Sequence, residues 1–260
     1  MAAENGHGAE GGLGVDPMHQ FEITTIIPLE FGGIDASFTN SALWMVISAA
    51  LITGLTVFGM SGRAMVPGRL QSVAELSYEF VANMIRDNVG SEGQRYFPFI
   101  FTLFMFVLFS NMVGMIPYSF TVTSHIIVTF GLAMVIFLGV TVIGFAKHGL
   151  RFFEFFVPKG IPVVLVPLLV VIEVISYLTR PVSLSVRLFA NMMAGHTMLK
   201  VFAGFVVAFV GAGGALTGLA IGPLAFMVAF TGLEILVAFL QAYVFAILTC
   251  IYLNDALHMH

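Results

Sequence analysis

One apolar stretch decides the fold of this chain: "IPVVLVPLLVVIEVISYLTRPVSLSVRLFANMMAGHTMLKVFAGFVVA", Ile161–Ala208. About 20 apolar residues span a bilayer as a helix, so this stretch is far longer than a perpendicular crossing requires. It therefore predicts a transmembrane helix that is tilted or bent, with Pro167 and Pro181 as candidate bends. Four charged residues lie within it: Glu173, Arg180, Arg187 and Lys200. Ionisable side chains at membrane depth are costly and usually functional.

The composition of the whole chain is that of a multi-pass integral membrane protein. Of its 260 residues, 59% are hydrophobic and 9% are charged, whereas a soluble domain carries about a quarter charged residues. The net charge of -4 gives no sign of a nucleic-acid partner, because the charges cluster near the predicted helix ends. The single cysteine, Cys250, excludes an intrachain disulfide framework.

Five apolar segments predict five transmembrane helices, at 41–60, 96–116, 125–146, 161–208 and 219–253. The last two are joined by "GAGGALTG", Gly211–Gly218, and both exceed the length of a simple crossing. They predict a long tilted hairpin, a shape that suits contact with a partner. We therefore expect an all-α membrane protein in which residues 41–260 form a single membrane domain and residues 1–40 a polar tail.

The stretch "LQSVAELSYEFVANMIRDNVG", Leu70–Gly90, predicts a sixth helix that is amphipathic. Its apolar residues Val73, Leu76, Phe80 and Met84 repeat at helical spacing, and its charged residues fall largely on the other side. Two arrangements remain open from the sequence. The helix lies in the membrane surface, or it docks as a cap on its own protein.

The distribution of Lys and Arg predicts the orientation in the membrane. Basic residues between the first and second transmembrane segments are Arg63, Arg69, Arg86 and Arg95, and those between the third and fourth are Lys147, Arg151 and Lys159. The amino-terminal tail, the Gly-rich turn and the short carboxyl tail have none. The positive-inside rule then predicts an amino terminus outside and a carboxyl terminus in the cytoplasm.

Polar residues of the long segment lie on two faces of a helix. Glu173, Arg180 and Arg187 are spaced by seven residues, which is two turns, so they share one face. Asn191 lies beside this face, one turn after Arg187, whereas His196 lies about half a rotation away. The long helix therefore presents polar groups in two directions and at different depths.

Polar residues of the last segment match those of the long one in depth. In a straight antiparallel hairpin centred on the Gly-rich turn, three pairs lie level. These are Arg187 with Gln241, His196 with Glu234, and Glu173 with Asp255. Several ionisable groups at matched depths favour an ion path or proton relay.

The candidate residues differ in the chemistry that they can perform. His196 gains and loses a proton near neutral pH, and a buried Glu234 could do the same. Glu173, near the inner end, could serve the opposite side of the membrane. Arg187 does not deprotonate in proteins, so it can only attract a carboxylate or repel a cation. Because no acid of this chain is predicted level with Arg187, that carboxylate should belong to a partner.

Simpler explanations remain open for single residues. A lone intramembrane His is often a packing residue, and a lone Asn or Gln more often joins helices by hydrogen bonds. Lys200 could extend its ammonium to the interface. Arg180 could pair with Glu173 or satisfy carbonyls freed by Pro181.

Four motifs resemble subunit a of the F-type ATP synthase family. They are "SLSVRLFANMMAGH" (Ser183–His196), "GLEILVAFLQAYVFAILTCIYLNDA" (Gly232–Ala256), "FSNMVGMIPYSFTVTSHI" (Phe109–Ile126) and "DPMHQFEI" (Asp16–Ile23). The resemblance implies a membrane stator subunit that packs beside a rotating ring of c subunits, with peripheral-stalk b-type subunits as further partners. It also implies two offset half-channels that load and unload H⁺ on the ring carboxylates, and no cofactor, metal or catalytic site in this chain.

The resemblance also assigns roles to individual residues. The essential arginine of the family falls on Arg187, its amide partner on Asn191 and the glutamine of the last helix on Gln241. The acid of the inner half-channel falls on Glu173, and the amide of an earlier helix on Asn111. The order of His196 and Glu234 resembles mitochondrial-type members, and the expected location is a bacterial inner membrane.

Two other classes of membrane protein fit the sequence less well. An ion-coupled secondary transporter often has internal repeats and broken helices, and the Arg187 region is not repeated. A redox-driven proton pump needs cofactor ligands at metal spacing, whereas His125, His148 and His196 are scattered. A spectrum of the purified protein would separate that class from the others.

Overall fold

The computed structural model describes residues 21–28, 30–31, 34–35, 37–62, 66–116, 119–157, 165–214 and 216–258. The start of the polar tail, Arg63, Lys159 and the predicted helix start at 161–164 lie outside the described residues. The helices are α1 Asn40–Ser61, α2 Arg69–Asn88, α3 Phe97–Gly114, α4 Ile126–His148, α5 Val166–Ala212, α6 Leu216–Leu219 and α7 Ile221–Leu257. The expected all-α architecture is confirmed.

Five helical stretches are long and apolar enough to cross a membrane within the described residues. They are Asn40–Ser61, Ser91–Gly114, Ile126–His148, Val166–Ala212 and Leu216–Leu257. The second includes a 3₁₀ turn, Ser91–Tyr96, that precedes α3, and the fifth joins α6 to α7. These five stretches confirm the number of spans predicted from hydropathy.

Short strands precede α1, where the sequence predicted only a polar tail. Strand β1 (Thr25–Ile27) pairs antiparallel with β4 (Phe38–Thr39), and β2 (Glu30–Phe31) pairs with β3 (Ile34–Asp35). The side chain of Asn40 fastens this segment to α1, since its Nδ2 donates to the Glu22 carbonyl at 3.0 Å and its Oδ1 accepts from the Thr24 amide at 3.3 Å. The strands therefore lie at the end of the bundle where α1 begins, which we call the strand side.

Helix α7 is at the centre of the helix packing, where it contacts α2, α3, α4 and α5. The largest fully buried side chains come from five helices: Ile85, Phe104, Ile136, Leu188 and Phe245. Most other apolar side chains of the spans face outward, as expected of helices whose surroundings are lipid rather than water. This packing holds α5 and α7 side by side over most of their length.

Helix α2 combines the two arrangements that the sequence left open. Its second half docks on the bundle, because Val81, Met84 and Ile85 are buried in the core that includes α3 and α7. In its first half, Val73 and Leu76 remain 50% and 70% exposed. This apolar surface is suited to the headgroup region of a membrane.

Candidate functional site

His196 of α5 and Glu234 of α7 meet in the interior, as the matched depths predicted. The imidazole Nδ1 lies 2.9 Å from Glu234 Oε1, and the Glu234 side chain is only 4% exposed. The same Nδ1 is also 2.9 Å from the Met192 carbonyl, which lies in line for a hydrogen bond, whereas the carboxylate does not. The contact with Glu234 is thus an ion pair when the ring is protonated.

Gly195 makes this approach of the Glu234 carboxylate to His196 possible. A Cβ at position 195 would lie 2.5 Å from Glu234 Oε1, too close for any side chain to fit without moving the carboxylate. The absence of a side chain at Gly195 therefore sets the distance between Glu234 and His196.

The other nitrogen of His196 faces α3 and the loop that follows it. Nε2 lies 2.9 Å from the Gly114 carbonyl and 3.1 Å from Thr121 Oγ1. The Thr121 hydroxyl in turn donates to the same Gly114 carbonyl at 3.1 Å. Gly114 is needed here, since a Cβ would lie 2.8 Å from the methyl group of Thr121.

A cavity of about 1000 Å³ opens on the strand side and ends at this pair. Its wall includes Glu22 before β1, Trp44 of α1, and Lys200 of α5, together with His196 and Glu234 themselves. Carboxylate, imidazole and ammonium groups thus lie around a space large enough for many water molecules. The cavity therefore connects the His196–Glu234 pair with the strand side of the bundle.

The amides predicted beside Arg187 form a bridge between the two long helices. Asn191 Nδ2 donates to Gln241 Oε1 at 3.0 Å. Gln241 is buried, and its Nε2 has no hydrogen-bond partner among the described residues. The predicted match of Arg187 with Gln241 is therefore off by about one turn, because Asn191 is the residue of α5 that meets Gln241.

Arg187 is exposed on the surface of α5, and no carboxylate of the described residues lies within ion-pair distance of it. The residue lies near the middle of this membrane-spanning helix, far from both of its ends, where a charged side chain is costly.

Asn111 is fully buried and joins three parts of the bundle. Its Nδ2 donates to the Ala238 carbonyl of α7 at 3.4 Å, and its Oδ1 accepts from the Thr123 hydroxyl at 2.8 Å. The structure does not bring it into contact with Arg187. Asn111 instead fixes the loop after α3, which carries Thr121, against α7.

The predicted match of Glu173 with Asp255 is wrong. Asp255 Oδ2 accepts from Arg180 at 3.2 Å, and the Arg180 guanidinium lies over the rings of Tyr177 and Tyr252, 5.3 and 4.8 Å from their centres. Glu173 is half-buried two turns away on α5 and is not brought to the other candidates. The prediction holds only for straight, parallel helices. In the structure, the pairing between α5 and α7 shifts along the hairpin, and the long Arg180 side chain reaches Asp255 from farther along α5.

Several contacts at the site could not be predicted from the sequence. Thr121 and the Gly114 carbonyl were not singled out, because a backbone carbonyl has no sequence signature and Thr is common in loops. The available signal for Gly195 was its position next to His196 and opposite an acidic residue on the facing helix. Among the described residues, no three His, Cys, Asp or Glu side chains are grouped so as to hold a metal ion.

The fold and the site define an integral membrane protein with a buried histidine–glutamate pair and an exposed arginine in the middle of a membrane-spanning helix. Residues 42–254 match the ATP synthase A chain family. ATP synthase subunit a of Parvibaculum lavamentivorans is 61% identical to this chain over 95% of each sequence. That of Pelagibacter ubique is 62% identical over 95% of this chain and 100% of its own length. The chain belongs to the ATP synthase A chain family and is a component of the membrane sector of the complex.

Proposed function

We propose that this chain, as the proton-conducting stator subunit of an F-type ATP synthase, passes H⁺ through two half-channels to and from carboxylates of a rotating c ring. The observation that carries the proposal is the exposed Arg187 in the middle of α5, which has no carboxylate partner among the described residues. A permanent charge at that depth costs several kcal/mol unless a partner supplies the opposite charge. At about 4 Å and an effective dielectric constant of about 20, a carboxylate would return roughly 4 kcal/mol.

The surface around Arg187 is suited to a passing helix. Its neighbours on the exposed face of α5 are the small residues Ser183, Ala190 and Ala194. Small side chains let helix backbones approach closely in a membrane. A ring of c subunits would thereby bring its carboxylate within reach of the guanidinium.

The strand-side cavity supports the entry half of the path. A proton from the cavity binds His196, passes to Glu234 and then neutralises the ring carboxylate. Asn191 and Gln241 join the two long helices between this pair and Arg187. Asn111 supports this path indirectly, because its hydrogen bond with Thr123 holds in place the loop that carries Thr121.

The exit half of the path is assigned to Glu173. It lies 14 residues before Arg187 on α5, about 21 Å along a helix and towards the other side of the membrane. Arg187 separates the two halves because its charge repels a proton that would pass directly between them.

The orientation that fits this path places the strand side outside a bacterial inner membrane and the carboxyl terminus in the cytoplasm. The one-sided distribution of Lys and Arg supports it. Peripheral-stalk b-type subunits complete the set of proposed partners, and catalysis of ATP synthesis belongs to other subunits of the complex.

Replacement of Arg187 tests the proposal. Arg187→Ala should abolish proton-driven ATP synthesis in membrane vesicles while the complex still assembles, as judged by co-purification. Arg187→Lys should restore little, because lysine lacks the planar fork and can lose its proton when desolvated. Arg151→Ala, an exposed arginine outside the spans, is the matched control and should leave synthesis unchanged. Normal coupled synthesis in an assembled Arg187→Ala complex would refute the proposed function.

A further inference from the structure

Three atoms around His196 form a triangle with sides of about 3 Å. Nε2 is 2.9 Å from the Gly114 carbonyl oxygen and 3.1 Å from Thr121 Oγ1, and those two oxygens are 3.1 Å apart. A carbonyl oxygen can only accept a hydrogen bond, whereas a hydroxyl can donate or accept. The triangle therefore contains one partner, Thr121, that can change its role.

The protonated and neutral forms of His196 need different hydrogen bonds within this triangle. When Nε2 carries a proton, it donates to the Gly114 carbonyl, and the Thr121 hydroxyl donates to the same oxygen. When Nε2 is bare, its lone pair and the carbonyl oxygen face each other at 2.9 Å with no proton between them. Only a donor turned towards Nε2 makes this neutral form acceptable.

We propose that Thr121 is a positioning residue whose hydroxyl turns between the Gly114 carbonyl and His196 Nε2. This turn makes His196 able to release as well as bind a proton. Among the described residues, Thr121 is the hydrogen-bond partner of His196 that can donate. The inference rests on the proposed function, because it concerns the same proton path.

The proton transfer is balanced within the site. A proton from the cavity binds the bare Nε2, and the Thr121 O–H turns back to the carbonyl oxygen. Nδ1 keeps its proton, which it donates to the Met192 carbonyl. The cationic ring then loses its Nε2 proton through water in the cavity to Glu234, since the wall of the cavity includes both side chains. One N–H bond breaks, one O–H bond forms on the carboxylate, and the two opposite charges disappear together, while the Thr121 O–H turns to the bare Nε2, which can then bind the next proton.

Other ionisable groups near the ring come from four parts of the chain. Glu234 faces it from α7, and Lys200 lies one turn farther along α5. Glu22, before β1, lies across the cavity. His125 follows Thr121 in the same loop and stacks on Phe120 at 4.9 Å between ring centres. None of these groups donates to Nε2 within the described residues.

The test removes the hydroxyl while keeping the shape of the side chain. In Thr121→Val, Nε2 should keep its proton more tightly. The midpoint of proton-driven ATP synthesis against outside pH should then rise by about one pH unit, with a lower maximal rate. Thr121→Ser keeps the hydroxyl and should restore the wild-type midpoint. Thr129→Val is the matched control, because Thr129 is buried and its hydroxyl bonds only to carbonyls of its own helix and cap.

A spectroscopic measurement separates this inference from the proposed function. ¹⁵N NMR of His196 in the assembled complex, assigned by subtracting the spectrum of His196→Gln, reports which ring nitrogen is bare whether or not protons are transported. The wild type should show a neutral ring with a bare Nε2 above the transition, and Thr121→Val should lose that form. Equal populations in the two proteins, or the same pH shift in Thr129→Val, would overturn the role of Thr121. Normal transport by His196→Ala would instead refute the proposed entry path.

Discussion

Gly195 shows how a single residue without a side chain controls the chemistry of its neighbours. It lies against the Glu234 carboxylate, and the atom that a new Cβ would meet first is the far end of that flexible side chain. The carboxylate can therefore move aside without disturbing the packing of α5 on α7. A substitution here should alter function while leaving the fold intact.

Gly195→Ala should assemble normally but lower proton-driven ATP synthesis by about ten- to hundredfold, because displacement of a reacting group by about 1 Å is costly. The measurement is the synthesis rate in vesicles. Combination with Glu234→Asp, which withdraws the carboxylate by one methylene, should restore part of the rate. Gly139→Ala is the control, since a Cβ at Gly139 would meet nothing within 4 Å. A wild-type rate in Gly195→Ala would show that the 2.9 Å contact of His196 with Glu234 is not required.

For single residues, the sequence predicted which side chains form pairs better than it predicted where those side chains lie. Residue type and depth paired His196 with Glu234, because the match lies close to the turn and errors of helix crossing are small there. They failed for Glu173 and Asp255, far from the turn, where the same errors accumulate. Contacts to backbone oxygens, such as that of Gly114, could not be predicted, since every residue carries one.

The two long helices are held together by polar contacts at intervals along their length. From the strand side these are the His196–Glu234 pair, the Asn191–Gln241 hydrogen bond and the Arg180–Asp255 ion pair. In lipid, apolar side chains alone give little preference for protein over membrane, so polar contacts of this kind help to fix the register of a hairpin. The last of the three is the farthest from the turn and restrains the free ends of both helices.

Arg180→Met should destabilise the α5–α7 hairpin by about 1–3 kcal/mol, because it removes a charge-assisted hydrogen bond and two cation–π contacts while keeping an apolar stem. Thermal stability of the detergent-purified complex, followed by loss of this chain, is the measurement. In a double-mutant cycle with Asp255→Asn, the second substitution should cost less once Arg180 is gone. Fully additive losses would show that the ion pair contributes no coupling.

For the elements, hydropathy predicted the number and order of the membrane-spanning helices, because each span needs a long apolar segment. The strands before α1 were not predicted. Each is only two or three residues long, which is too short for an alternating pattern to be recognised. Their position depends on the Asn40 side chain, a tertiary contact that local sequence does not encode.

Among the described residues, the strand-side cavity and most of the basic side chains lie at opposite ends of the bundle. This asymmetry predicts the orientation. With an external strand side, Leu216→Cys in α6 should react with a membrane-impermeant maleimide in intact cells, whereas Phe153→Cys, after α4, should react only after permeabilisation. Both positions are about half exposed, at 47% and 57%.

The native chain provides the control for this labelling. Its own thiol, Cys250, is fully buried and should stay unlabelled under both conditions. Labelling of Phe153→Cys but not Leu216→Cys in intact cells would invert the molecule and exchange the proposed entry and exit paths.

The chain contains a single tryptophan, and its indole lies in the wall of the strand-side cavity. Trp44 is therefore a native fluorophore at the entrance to the proposed proton path. Its emission wavelength reports whether that space is hydrated, and collisional quenching by small solutes reports which charges and sizes gain admission. Glu22 and Lys200 lie in the same wall. Quenching by iodide and by caesium in variants of these two residues would therefore report the electrostatic potential in front of His196 without any measurement of turnover.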